Sequence, residues 1–216
     1  MASPPENRPR GAGRPRSAAA DRAILSATRS ALVELGWSAL TMSAVASRAQ
    51  VARTTLYRRW PGKSELVVDA VADLFDERLE LPDRGSLAAD IEWVVLRFAA
   101  LLEQPETKTG LMAVLAEATR DEALRARIRS AIVGRQKALV LRGRARAQDR
   151  GELAPDPPGD AGARQAARTV DLIFDVVAGS VIHRALVSSE PVDEDWARDF
   201  AALVTGGLTG AGPRTG

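Results

Sequence analysis

An all-α fold made of two helical units is the fold class that this 216-residue sequence predicts. From Asp21 onward, apolar residues recur at the spacing that places them on one face of an α-helix. No segment alternates apolar and polar residues for long, as a half-buried β-strand would. Clusters of proline and glycine interrupt the helical pattern, and the cluster at 82–85 predicts the boundary between the two units.

The front unit, predicted at 21–82, has the pattern of four helices. Asp21, Thr41 and Ser64 are short polar residues that favour helix N-caps, so they are the expected starts of the first, second and fourth helices. Gly36 is expected to end the first helix, because glycine readily adopts the left-handed backbone that follows many helices. The predicted helices cover about 22–35, 41–49, 52–59 and 65–79.

The second unit, predicted at 83–208, continues the helical pattern with longer segments. Ser86 is the expected N-cap of its first helix, and the Gln104-Pro105 break ends that helix. The predicted helices cover about 86–102, 107–118, 121–150, 161–187 and 193–208. The two ends, 1–20 and 209–216, are expected to be a disordered basic arm and a flexible tail.

The residue types limit the chemistry that this chain can perform. It contains no cysteine, which excludes disulfides, thiolate nucleophiles and cysteine-bound metals and is typical of a reducing compartment. His183 is the only histidine, so we expect no metal site, no cofactor and no enzyme activity. No apolar run reaches the ~18 residues that a membrane span needs, and no signal peptide is recognisable, so we expect a cytoplasmic protein.

Basic residues are concentrated at the front of the chain. Residues 1–63 contain eleven Lys and Arg against three Asp and Glu, a net charge of +8, whereas the remainder carries −6 and the whole chain +2. A basic front unit on an acidic body indicates an anionic polymer as the partner of the front unit. A basic tail without a partner is the alternative that charge alone leaves open.

Two short predicted helices joined by a tight turn at Gln50 and Val51 form a helix-turn-helix candidate. Leu56 and Trp60 are expected on the inward face of the second helix, together with Val51. Its outward face then carries the side-chain types that contact bases and phosphates in DNA complexes. These residues are Arg53, Thr54, Thr55, Tyr57 and Arg58.

Thr41 and Lys63 lie at the starts of the helices that flank the second short helix. Helix N-termini present free N–H groups and the positive end of the helix dipole, so both positions suit phosphate groups. Pro61-Gly62 is expected to make the turn that directs Lys63 toward the same duplex. A solvated basic face on an ordinary helical bundle is the alternative interpretation of these residues.

Residues 40–66, LTMSAVASRAQVARTTLYRRWPGKSEL, resemble the DNA-binding region of the tetracycline-repressor (TetR) family. The family pattern has a threonine at the start of the second helix and a small-residue turn after that helix. A Thr-Leu-Tyr core, an aromatic residue and a lysine before the fourth helix follow. Here these features are Thr41, Ala49 to Val51, Thr55-Leu56-Tyr57, Trp60 and Lys63, and the Gly36-Trp37 pair resembles the family's stop after the first helix.

Two residues depart from the family pattern. Gln50 stands where glycine is common in the turn, and Ala52 stands where serine or threonine usually caps the recognition helix. A missing cap costs about 1 kcal/mol of local helix stability, which tertiary packing can offset. The departure at Ala52 therefore removes a hydroxyl-to-phosphate contact without opposing the fold.

The resemblance implies a repressor that a small molecule releases from DNA. It implies a homodimer on a palindromic double-stranded DNA operator and an unknown small-molecule effector in the second unit. The candidate walls of the ligand cavity are Trp93, Leu96, Phe98, Met112, Leu115 and Phe174. The last two long helices are the expected dimer interface, with Ala178, Val181, Trp196 and Phe200 as candidate contacts. All of these residues are also compatible with an ordinary core.

Two other functions remain open at this level. One is a transcriptional activator, or a regulator with a vestigial pocket that responds to a protein partner. The other is an all-helical enzyme with an accessory basic domain. The GRPR segment at 13–16 resembles arms that enter the minor groove of DNA, and a solubilising tail explains it equally well.

Overall fold

A computed structural model describes residues 18–210, and within that range the chain forms ten α-helices and two π-helical turns without any β-strand. The all-α prediction is therefore confirmed. No helix in the same range is long and apolar enough to cross a membrane. The helices are α1 Ala18–Ala39, α2 Met42–Arg48, α3 Arg53–Tyr57, α4 Lys63–Arg78, α5 Leu87–Leu102, α6 Pro105–Ala118, α7 Glu122–Ile128, α8 Gly134–Asp149, α9 Gly159–Ile182 and α10 Glu194–Gly210.

Most of the predicted arm and tail lie outside the described residues, and so does the GRPR segment at 13–16. Where the prediction overlaps the structure, it differs from it. Residues 18–20 already belong to α1, and residues 209–210 belong to α10. Alanines at 18–20 are strong helix formers, which explains why α1 begins before Asp21.

Two predicted helix starts are wrong. Asp21 lies in the first turn of α1 and not at its N-cap. Ser64 lies inside α4, because the Gly62 carbonyl accepts the Leu66 N–H at 3.3 Å and the helix therefore begins at Lys63.

Three other predicted helix boundaries are confirmed. Thr41 Oγ1 accepts the Ala44 N–H at 3.1 Å at the start of α2, and Ser86 Oγ accepts the Ala89 N–H at 3.2 Å at the start of α5. Gly36 interrupts α1 with φ 71° and ψ 171°, a backbone conformation that residues with a side chain rarely adopt. The polypeptide changes direction there and leads into α2.

Helix α4 is the central element that joins the two predicted units. It packs against α1, α6 and α7, and its apolar residues, such as Val67 and Val68, are fully buried in a core that extends through both units. Arg29 of α1 is also buried, where it donates to the Ala70 carbonyl at 3.1 Å and to the Asp73 carboxylate at 2.9 Å. A movement of α4 must therefore displace the helices packed on both of its sides.

Two long helices of the prediction contain π-helical turns. The segment predicted at 121–150 is α7, a π-helical turn at Arg129–Val133, and α8. The Gly134 N–H donates to the Arg129 carbonyl, five residues earlier, which widens the helix locally. A second π-helical turn, His183–Ser188, follows α9 and ends at Ser189, whose φ is 54°.

Candidate DNA interface and ligand cavity

The short helix α3 presents one buried face and one exposed polar face. Leu56 is fully buried, whereas Arg53, Thr54 and Arg58 are exposed and Tyr57 is 53% exposed. The fifth candidate on this helix, Thr55, is half-buried. Guanidinium, hydroxyl and phenol groups are therefore arranged on one surface, where they can donate hydrogen bonds to an anionic partner.

The turn before α3 and the start of α3 contain the two residues that depart from the family pattern. Gln50 has φ 55°, the left-handed conformation that glycine adopts most readily. The Ala52 side chain makes no capping hydrogen bond, and α3 is only five residues long. Its stability must therefore come from packing of Leu56 and of the segment that follows it.

Trp60 attaches the end of the α3 segment to the core. Its side chain is 5% exposed, and its indole Nε1 donates to Asp69 Oδ2 on α4 at 2.8 Å. The same carboxylate oxygen accepts a hydrogen bond from Arg127 on α7 at 2.7 Å. Asp69 therefore connects the support of α3 to a helix of the second unit.

We expect Trp60→Phe to lower the free energy of unfolding by about 2–3 kcal/mol, because it removes a charge-assisted hydrogen bond and leaves unfilled volume. Urea denaturation followed by circular dichroism measures this difference. Trp93→Phe is the matched control, since Trp93 is half-buried on α5 and donates no indole hydrogen bond within residues 18–210. Equal losses in the two variants would show that the bond to Asp69 does not support α3.

Lys63 has two contacts that the sequence did not predict. Its Nζ donates to the Trp37 carbonyl at 2.8 Å and lies 4.4 Å from the centroid of the Trp37 ring. The ammonium group is thus held at the N-terminus of α4 by the segment that follows the break in α1. Since it has three donors, it can keep this contact and still donate to a phosphate.

Other arginines near α3 are paired with carboxylates. Arg59 forms an ion pair with Asp21, and Arg48 is hydrogen-bonded to Glu34. The hydrogen bond from Arg48 lowers the pKa of Glu34, so the carboxylate stays ionised and compensates the arginine charge at neutral pH. Within residues 18–210, Arg53 and Arg58 have no ion-pair partner.

An apolar cavity of about 240 Å³ lies between α4, α5, α6, the α7–α8 segment and α9. Of the predicted wall residues, Phe98, Leu115 and Phe174 line this cavity, whereas Trp93, Leu96 and Met112 do not. The other wall residues include Phe75, Leu79, Ile91, Val94, Leu111, Ile128, Ile132, Gln136, Leu139 and Val177.

Helix geometry explains which predicted wall residues miss the cavity. On α5 the cavity side carries Ile91, Val94 and Phe98, so Trp93 and Leu96 lie on other sides of the same helix. Met112 is 49% exposed. Gln136 was not predicted as a wall residue. Its sequence signal is the spacing of three or four residues from apolar wall residues of α8 and the preceding turn, which is typical of one inward helix face.

The predicted dimer contacts lie mainly within the single chain. Ala178 lines the cavity, Val181 is fully buried, and Phe200 is buried and stacked on Trp196 with ring centroids 4.9 Å apart. Trp196 itself is half-buried. The same two helices expose other apolar side chains, among them Leu172, Val176 and Leu203.

Within residues 18–210, no group of three or more His, Asp or Glu side chains is arranged to hold a metal ion. His183 is exposed, and its Nδ1 lies 3.5 Å from the Ser188 hydroxyl.

Two family models together match most of this chain. Residues 24–70 match the model described as bacterial regulatory proteins, tetR family, and residues 81–204 match the model described as tetracyclin repressor-like, C-terminal domain. The first match covers α3 and its supporting helices, and the second covers the helices around the cavity other than α4.

Relatives and solved structures agree with these matches. The uncharacterized HTH-type transcriptional regulator Rv1556 of Mycobacterium tuberculosis is 31% identical over 174 residues, which cover 80% of this chain and 79% of the relative. The HTH-type transcriptional repressor KstR of Mycolicibacterium smegmatis is 40% identical over 75 residues, which cover 35% of this chain and 37% of the relative. The crystal structure of the TetR family transcription regulator SCO0332 has a TM-score of 0.69 at 28% identity, covering 90% of this chain and 99% of that structure.

Proposed function

This chain belongs to the tetR family of bacterial regulatory proteins and is a DNA-binding transcriptional regulator, and we propose that it is a repressor that a small molecule releases from a palindromic operator. The observation that carries the proposal is the exposed face of α3, where Arg53 and Arg58 lack any ion-pair partner within residues 18–210. Guanidinium groups without an acidic partner, next to the exposed phenol of Tyr57, favour binding to the anionic backbone of double-stranded DNA. Such a protein acts on DNA in the bacterial cytoplasm and requires neither catalysis nor a cofactor.

The proposed DNA contacts divide into two kinds. Arg53 and Thr54, near the N-terminus of α3, contact base edges in the major groove and select the sequence. Tyr57 and Lys63 contact phosphates and contribute to the binding of every sequence. Thr55, Arg58 and Thr41 complete the proposed interface.

The proposed dimer interface is the exposed face of α9 and α10. Leu172, Val176 and Gly179 lie at helical spacing on α9, and Leu203 and Gly206 do so on α10. A Cβ atom added at either glycine would meet no atom of the described residues within 4 Å, so packing among those residues does not require glycine there. Small residues beside exposed apolar ones favour the close approach of a second copy related by a two-fold axis.

The proposed release acts through α4 and α7. Phe75 of α4 and Ile128 of α7 both line the cavity, and Ile128 adjoins Arg127, which is hydrogen-bonded to Asp69. Because Asp69 also holds Trp60, a ligand that moves α7 relative to α4 acts on the support of α3. Release requires that this ligand bind the arrangement that does not fit DNA more tightly than the one that does.

Binding to the DNA upstream of the protein's own gene tests the DNA-binding proposal. We expect nuclease footprinting to reveal one protected palindrome. We also expect the affinity to fall about a thousandfold or more as salt rises from low to physiological concentration, because several phosphates are contacted. The absence of any protected site at low salt would refute operator binding, and an enzyme with a basic accessory domain would show neither result.

Transcription in vitro from the same promoter distinguishes the two regulatory outcomes. A repressor lowers the transcript yield when it is added, because a dimer bound over the promoter excludes the polymerase. An increase in transcript yield would support the activator alternative.

A further inference from the structure

We infer that the cavity takes a small, uncharged, mainly apolar molecule with one hydrogen-bond donor, and that Gln136 accepts the hydrogen bond from this donor. The inference rests on the proposed function, since it names the class of effector for the same cavity. It depends on four properties of the wall, namely its size, its apolar character, the pairing of its charged groups and the single unpartnered amide.

The size of the cavity favours small ligands. Its volume of about 240 Å³ is below the roughly 300–1,000 Å³ of sites that hold drug-sized molecules. A single ring with a short substituent, or an unbranched chain of about eight carbons, is the scale of molecule that this volume accommodates.

The wall is apolar nearly throughout. Side chains such as Phe98, Leu111, Ile132, Leu139 and Phe174 surround the space. Removal of an apolar ligand from water provides the free energy of binding at such a wall, and a polar group on the ligand costs free energy unless it finds a partner.

Asp90 is the acidic residue of the wall, and both of its oxygens already have partners. Oδ1 accepts the Arg84 N–H at 2.7 Å, and Oδ2 accepts hydrogen bonds from Arg146 at 3.2 Å and Arg150 at 3.4 Å. A cationic ligand would have to compete with two arginines for this carboxylate. The wall therefore offers no free counter-ion to a cation.

Arg144 is the basic residue of the wall, and its guanidinium is also paired. Nη1 donates to Asp156 Oδ2 at 2.6 Å, and Nη2 donates to the other oxygen of the same carboxylate. This two-point contact lowers the pKa of Asp156, so the carboxylate remains ionised and keeps the arginine occupied. An anionic ligand thus finds no free cation, and buried charge without a partner is strongly disfavoured.

Gln136 is the one wall residue that has an unsatisfied buried polar atom among the described residues. Its side chain is 9% exposed, and its Oε1 is buried without any hydrogen-bond partner in residues 18–210. An unsatisfied buried carbonyl costs about 1–3 kcal/mol. A ligand hydroxyl or amide N–H recovers this cost when the Gln136 side chain turns Oε1 toward it, which makes one donor favourable in an otherwise apolar site.

Four probe molecules with eight carbon atoms each test the inference. They are n-octanol, its isomer heptyl methyl ether, octanoate and octylammonium, and calorimetric titration of the full-length protein without DNA gives each dissociation constant. We expect n-octanol to bind about tenfold more tightly than the ether, which has no donor. We expect both ions to bind at least about a hundredfold more weakly than n-octanol.

Gln136→Leu is the variant that isolates the proposed acceptor. It should bind the ether at least as tightly as the alcohol, because the alcohol donor no longer has a partner, and its stability should not fall, because an apolar group of similar size replaces an unsatisfied buried amide. Gln165→Leu is the matched control, since Gln165 is an exposed residue of α9 outside the cavity, and it should retain the tenfold preference. A preference that persists in Gln136→Leu would overturn the inference.

Three other results would also overturn it: equal binding of alcohol and ether by the unaltered protein, tight binding of either ion, or no saturable binding of n-octanol. Release of the operator is measured separately, by fluorescence anisotropy of labelled DNA. If n-octanol binds with the expected preference but leaves the operator complex intact, the ligand class stands and the release proposal fails. If an ion that fills the cavity releases the operator, release stands and the ligand class fails.

Discussion

Replacing Val176 and Leu203 together by aspartate is expected to give a monomeric protein that binds the operator about a thousandfold more weakly. These side chains are 45% and 74% exposed on α9 and α10, so the substitutions remove little packing within one chain. At a two-fold interface each introduced carboxylate would face apolar surface or its symmetry mate, and a buried unpaired charge opposes association. A monomer keeps one α3 and therefore only half of the base contacts.

Sedimentation velocity gives the association state, and anisotropy with labelled operator gives the affinity. Leu141→Asp is the matched control, because Leu141 is a leucine of α8 that is 52% exposed and lies outside the proposed interface. A dimeric double variant that binds the operator normally would place the interface elsewhere on the molecule.

The second large effect is expected at α3. Replacing Arg53 and Arg58 together by glutamine should lower operator affinity by about a thousandfold, because each contact to a base or phosphate contributes about 1–3 kcal/mol and the dimer loses two copies of each. The slope of log affinity against log salt should also decrease, by about 0.9 for each lost phosphate contact. Neither side chain is paired within residues 18–210, so the fold should be unaffected.

Arg142→Gln with Arg164→Gln is the control for charge alone. Both arginines are exposed on helices of the second unit, and the change in net charge is the same. We expect this control to bind the operator within about threefold of the unaltered protein, since distant surface charges are screened at physiological salt. Equal losses in the two double variants would show that α3 does not enter the groove.

The exposed and buried faces of α3 could be predicted from sequence because they depend on local geometry. Leu56 and Trp60 are four residues apart, which places both on one side of the segment, and Tyr57 and Arg58 between them then face outward, whereas Arg59 is half-buried. The N-caps at Thr41 and Ser86 were predictable for the same reason, since a cap involves only the next three residues. The walls of the cavity could not be predicted from sequence, because α5 is apolar on more than one side. Whether Phe98 or Trp93 faces the cavity depends on where α9 packs.

The sequence by itself determined the helical class, most of the helix breaks and the side chains that α3 presents, since each of these follows from interactions within a few residues. Only the tertiary structure decided that Lys63 is held by Trp37 and that Asp69 joins Trp60 to Arg127. It also decided that Gln136 Oε1, at the cavity wall, has no hydrogen-bond partner among residues 18–210. These contacts join residues far apart in the chain, and their partners are selected by packing, which local spacing does not specify.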